Sequence, residues 1–144
     1  MSAAEEPYED CYGCGQKNAN GLRMTFVHLP DGSAECHYVA AKHLAGAPGV
    51  LHGGVQATLL DEVMGHAIHI ADVDPDLDIV TVDFSLRYLR PAPVGEPIVV
   101  RARMLRAEGR DFHVTGEIVS PGGELMTRAE ARWRRIRRRS EDGS

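Results

Sequence analysis

The sequence predicts an α+β domain in which a curved antiparallel sheet of about six strands wraps one long central helix. Three observations lead there: one stretch with helical periodicity at residues 53–71, apolar alternation in the segments on either side of it, and short turns joining most of those segments. At 144 residues and 43% hydrophobic, the chain fits one domain spanning 1–144, with a cysteine-containing segment at 1–21, a core at 22–135 and a basic, polar tail at 136–144.

The elements follow in order. Residues 22–29 (LRMTFVHL) and 33–40 (SAECHYVA) look extended, and Pro30, Asp31 and Gly32 between them supply turn chemistry, so they form a first hairpin. A glycine-rich stretch, AGAPGVLHGG, leads into the helix from about Gly53 to Ala71. In IVTVDFSLRYL, Val80, Val82, Phe84, Leu86 and Tyr88 alternate with Thr81, Asp83, Ser85 and Arg87, which is strand periodicity. Pro91, Pro93 and Gly95 interrupt it. PIVVRARML then turns Ile98, Val100, Ala102 and Met104 inward, and the next strand turns in Phe112, Val114, Gly116 and Ile118. The last presents Leu125, Thr127, Ala129, Ala131 and Trp133. Short connections imply an antiparallel four-strand meander, and its single apolar face needs the helix as cover.

Charge and cysteine usage narrow the function. A formal net charge of -5 argues against nucleic acid as a partner, although RWRRIRRR at 132–139 is locally basic. No apolar run approaches the ~20 residues of a membrane span, and the acidic first ten residues do not read as a signal peptide, so a cytoplasmic location is expected. Three cysteines suit a reducing compartment. Cys11 and Cys14 have zinc-knuckle spacing, with Cys36 and His37 as the pair that could complete four ligands. Neighbours on a strand point to opposite faces, so a structural N-terminal cap without metal is expected instead.

The helix carries the chemistry. At about 100° per residue, Val55, Leu59, Leu60, Val63, Met64, Ala67, Ile70 and Ala71 make a broad apolar arc interrupted by Gln56. Glu62, His66 and His69 share a second face, expected to be a solvated or subunit-facing polar stripe. Asp61 lies on a strip of small residues with Ala57, Thr58 and Gly65 near it, and Ile68 beside it. An aspartate on an isolated helix is usually solvated, and His-Gly-Gly usually marks a tight turn. The helix nevertheless opens on the Gly53 and Gly54 amides, where free backbone donors and the positive dipole end favour a developing oxyanion. Gly53 and Asp61 are separated by about 12 Å along one helix, too far for one carbonyl to span. A second, antiparallel copy brings the glycine end of one protomer to the aspartate of the other, in two equivalent sites about a two-fold axis.

HGGVQATLLDE, preceded by Pro48-Gly49 and followed by TVDFSLRYLRPAPVGEPI, resembles the hotdog-fold acyl-CoA thioesterases of the phenylacetate-degradation type over about residues 11–135. CYGCGQKNANGL is similar to an N-terminal segment of one branch of that family. The resemblance implies a hotdog fold, hydrolysis of a small to medium acyl-CoA thioester without a cofactor or metal, and a homodimer or a dimer of dimers (homotetramer). It implies Asp61 as general base or nucleophile, Gly53 and Gly54 as backbone donors, His52 as the motif histidine and Thr81 as a hydroxyl that helps to hold water. Crevice and CoA contacts fall to Gln56, Thr58, Gly65, Ile68, Arg87 and Arg90, with Arg128 and the arginine-rich end as further phosphate candidates. One departure stands out: the loop before the motif reads HLAGAPGVL, with no Asn or Gln, so His43 or Gln56 is the available substitute. A non-catalytic acyl-CoA-binding protein and a thioesterase for carrier-protein-bound acyl groups are the competing expectations.

Overall fold

A computed structural model describes residues 9–136. Six strands and one long helix follow in the order β1 (Val27–His28), β2 (Ala34–Val39), α1 (Gly53–Ala71), β3 (Asp78–Tyr88), β4 (Pro97–Glu108), β5 (Asp111–Val119) and β6 (Leu125–Ile136). All neighbours pair antiparallel in one sheet of order β1-β2-β4-β5-β6-β3. The α+β architecture, the number of strands and the helix limits agree with the sequence.

The core lies between one face of the sheet and α1. Leu59, Leu60, Val63, Met64, Ala67 and Ile68 of the helix are buried together with Ile98, Val100, Val114, Ile118 and Ala129 of the sheet. At Gly116 the helix comes so close that an added Cβ would stand 3.0 Å from Met64 Cε and 3.2 Å from Leu60 Cδ2. A side chain there would press on both helix residues where they pack against the sheet.

Three expectations need correction. The strand expected at 22–29 shrinks to two residues, because Leu22 and Met24 hydrogen-bond back to the N-terminal segment, donating to the Tyr12 and Gly13 carbonyls at 2.7 and 2.9 Å. The meander is broken, since β3 pairs with β6 and β4 with β2 and β5. The 89–96 connection makes this crossing, anchored where Leu51 N–H donates to Ala92 O (2.8 Å) and Gly95 N–H to Ala40 O (2.8 Å). Finally, the alternation read along β3 fails in its first half. The register slips between Thr81 and Asp83, so Thr81 faces inward opposite Trp133 while Val80 and Val82 are exposed. A bulge adds one residue and exchanges the faces on either side of it.

Candidate active site

The start of α1 is set by His52. Its backbone is extended (φ -55°, ψ 134°), and its Nδ1 accepts the Gly54 N–H at 2.9 Å, as an N-cap side chain does. An accepting Nδ1 places the ring proton on Nε2 and spends the Gly54 donor. Gly54 is therefore not the oxyanion donor expected of it. Among the described residues the Gly53 N–H has no acceptor, which leaves it as the open donor at the positive end of the helix. Tyr88 closes over this position: its hydroxyl donates to Gly53 O at 2.8 Å, and its ring would lie 3.3 Å from a Cβ at residue 53. Sequence reading missed Tyr88, although its place at the end of the strand, three residues before Pro91, was the available signal.

Two turns further along, Asp61 is half-buried, and its Oδ1 accepts a hydrogen bond from Thr81 Oγ1 at 2.7 Å. Burial raises its carboxyl above the usual value of 3.8, and the Thr81 hydroxyl partly offsets this. The pair exists because of the β3 bulge, which aims Thr81 at the helix. A raised carboxyl that remains a hydrogen-bond acceptor has the chemistry of a general base.

The remaining candidates divide. Thr58 donates to Gly54 O at 3.1 Å and stays partly exposed on the Asp61 side of the helix. Gln56 is buried, with Nε2 donating to Leu51 O (3.0 Å) and Oε1 accepting from Thr127 Oγ1 (2.5 Å), so it is a core bracket and cannot orient a water. Ile68 is fully buried in the core and lines no crevice. Gly65 gives room to Trp133, whose ring would stand 2.8 Å from a Cβ there, so it does not belong to the Asp61 strip. Within the 43–46 loop, His43 is exposed and Leu44 is buried. Arg90 is paired with Glu124 at 2.8 Å. Arg87 stands across from Arg128 on the exposed face, and among the described residues neither has an acidic partner. The basic end is neutralised as far as it is described: Arg132 pairs with Asp83 and Asp111, Arg134 with Asp111, and Arg135 with Asp72 and Asp74. Hydrogen bonds from Arg134 and Arg132 hold Asp111 down to about 2. Residues 137–144 lie outside the described residues.

The sequence profile of the thioesterase superfamily matches residues 48–127, more than half of the chain and all of the segment from the glycine turn to Thr127. The chain belongs to the thioesterase superfamily. Human acyl-coenzyme A thioesterase 13 is 32% identical to this superfamily member over 84 residues, covering 58% of this chain and 59% of the human one. Bovine acyl-coenzyme A thioesterase THEM4 is 27% identical over 104 residues, 70% of this chain and 41% of its own. The chain thus spans about half the length of these curated relatives. Among solved structures, a phenylacetic acid degradation-related protein of Ralstonia eutropha JMP134 superposes with a TM-score of 0.70 at 27% identity, over 80% of this chain and 86% of that one. A conserved protein of Pseudomonas aeruginosa does so with a TM-score of 0.73 at 26% identity, over 91% and 100%. These likenesses establish the hotdog fold. No helix among the described residues is long and apolar enough to cross a membrane.

Proposed function

We propose that the protein hydrolyses acyl-CoA thioesters at two sites formed between antiparallel helices of a homodimer. The observation that carries this reading is the Asp61–Thr81 pair: a half-buried carboxylate, held at 2.7 Å by a hydroxyl, on the helix that opens with an unpaired Gly53 amide. Within one chain the two features are about 12 Å apart along the helix, so a thioester meets both only if they come from different chains. The sheet supports such pairing. β3 is an edge strand of 11 residues with exposed Val80 and Val82, an open ladder beside Thr81 that a second copy can complete.

In this reading Asp61 removes a proton from water as its oxygen attacks the thioester carbonyl carbon. The carbonyl oxygen takes up the negative charge and is met by the Gly53 N–H of the other chain. Collapse of the tetrahedral species breaks the carbon–sulfur bond, and the departing CoA sulfur takes the proton from Asp61. Direct attack by the Asp61 carboxylate, through a mixed anhydride that water then opens, uses the same groups. His52, with its proton on Nε2, offers a second donor at the mouth. Thr58 lines the Asp61 side, and Arg87 with Arg128 is the pair left available for CoA phosphates, for which guanidinium geometry is suited. The similarity to proteins named acyl-coenzyme A thioesterases supports CoA as carrier of the acyl group.

One observation favours a second reading, acyl-CoA binding without turnover: the loop before the helix presents Leu44, Ala45 and Gly46, none of which can orient a water through its side chain. Free-thiol release from a panel of acyl-CoAs separates the two. Hydrolysis by the wild type and a loss of about 10²-fold or more in Asp61→Asn is the expected result. Saturable binding with no release on any acyl-CoA establishes the second reading, and undiminished turnover by the variant removes Asp61 from the mechanism.

A further inference from the structure

On the face of α1 away from Asp61, the polar stripe of Glu62, His66 and His69 is not simply solvated. The N-terminal segment folds over Glu62 and brings both of its cysteines there: Cys11 Sγ lies 3.6 and 3.7 Å from the two Glu62 carboxylate oxygens. The ligand atoms of Cys11, Cys14 and Glu62 all fall within 4.8 Å of one another, and all three side chains are half-buried.

We propose that Cys11, Cys14 and Glu62 form a binding site for a soft divalent cation of the zinc class, which ties the N-terminal segment to the central helix. The geometry is that of a tetrahedral face. With zinc–sulfur and zinc–oxygen bonds of about 2.3 and 2.0 Å, the sulfur–oxygen edge of a tetrahedron is about 3.5 Å, close to the Cys11–Glu62 separations. The loop is shaped to allow it. Gly13 sits so near that a Cβ would stand 2.2 Å from Glu62 Cγ, and a Cβ on Gly15 would stand 2.3 Å from Glu9 O and 2.6 Å from Cys11 N. The Gly15 N–H closes the Cys-x-x-Cys turn by donating to Cys11 O at 2.9 Å.

Electrostatics point the same way. Glu62 is a half-buried acid beside Asp61, and its partners among the described residues are thiols, with no cation near to balance it. A divalent ion held by two thiolates and the carboxylate supplies that balance, with release of the thiol protons. The fourth position faces a cavity of about 460 Å³ lined in part by Phe26, His66, His69 and Trp133. His66 does not fill it in this geometry: its Nε2 is 2.8 Å from His28 Nε2, and its ring stacks on Phe26. An open position of this kind takes water or a small exogenous donor. Cys36 and His37 do not complete the set, because Cys36 is fully buried in the core and His37 is exposed and paired with Glu35.

The test uses the full chain, purified under reducing conditions and titrated with Zn²⁺ and with Co²⁺. One bound ion per chain is expected, with the sulfur-to-cobalt charge-transfer band and tetrahedral ligand-field bands in the cobalt form. Glu62→Gln, which keeps the side chain's shape, lowers the affinity about tenfold or more. The Cys11→Ser, Cys14→Ser double variant abolishes the cobalt–thiolate band, and Cys36→Ser leaves it intact. No stoichiometric ion in the wild type, or recovery of Cys11 and Cys14 as a disulfide after reducing purification, overturns the site. A thiolate band that survives the double variant overturns it as well, and an affinity unchanged in Glu62→Gln overturns the assignment of the third ligand.

Discussion

Asp61 is held in opposition to its own stability. Burial raises the folded carboxyl above 3.8, so between that value and the raised one the folded chain holds more protons than the unfolded one. Stability therefore falls as pH rises through this window, and above it the folded state carries a half-buried charge. Asp61→Asn removes the charge and keeps an oxygen for Thr81. At pH 7 the variant is expected to lose thioester hydrolysis while its Tm rises by about 2–4 °C, read by calorimetry beside the thiol-release assay. Thr81 gives a second test through the same carboxyl. The base must be ionised to work, so kcat/KM falls on the acid side through the Asp61 value. Thr81→Val deletes the hydrogen bond that holds this value down, and the acid limb of the pH profile should move to higher pH with a loss of about tenfold in kcat/KM at neutrality. An acid limb that stays in place shows that some other group titrates.

At the scale of elements, α1 is fixed by its cap and by its distance from β6. His52→Ala removes the acceptor for Gly54 N–H and should cost about 1 kcal/mol in chemical denaturation. Gly65→Ala places a methyl group 2.8 Å from the Trp133 ring, the contact that sets how closely the helix approaches the sheet. The helix must shift outward there, with an expected cost of about 1–3 kcal/mol and a change in Trp133 fluorescence. The helix was legible in the sequence because its apolar arc is broad, interrupted only by Gln56, and a glycine-rich stretch leads into it. β4 as far as Met104, β5 as far as Ile118 and most of β6 were legible because alternation marks their inner faces over those stretches. β3 was legible as a strand but not in its facing, since a bulge leaves no trace in a pattern of two. Asp61 could be singled out from its own helix, whereas the real surroundings of Gln56 and Glu62 could not. The partners of those two residues lie 71 and 51 positions away, and local periodicity carries no information about which distant segment covers a polar face.

For the whole molecule, the claim at stake is that each reaction centre is shared between two chains. A single subunit presents the Gly53 donor, unpaired among the described residues, and the Asp61 carboxylate at separate places on α1, and in the proposed dimer a second subunit joins them through the open edge of β3 next to Thr81. Val82→Lys puts a charge on that edge and should turn the assembly into folded, inactive monomers, seen by sedimentation together with thiol release. Complementation is the sharper test. Gly53→Pro deletes one N–H at the first helical position, where the fixed φ of proline suits a helix, and His52 already has the extended ψ of 134° that a residue before proline adopts. Tyr88, whose ring would lie 3.3 Å from a Cβ at residue 53, must give way by a few tenths of an ångström. The Gly53→Pro and Asp61→Asn proteins are each expected to be inactive alone. Mixed in equal amounts and allowed to exchange subunits, half of the dimers become mixed, and each of these has one centre with an intact Gly53 from one chain and an intact Asp61 from the other. Activity should then return to about a quarter of the wild-type value per chain. Centres built within single chains would give no recovery at any ratio of the two variants, so the mixing experiment measures directly whether the donor and the base belong to different subunits.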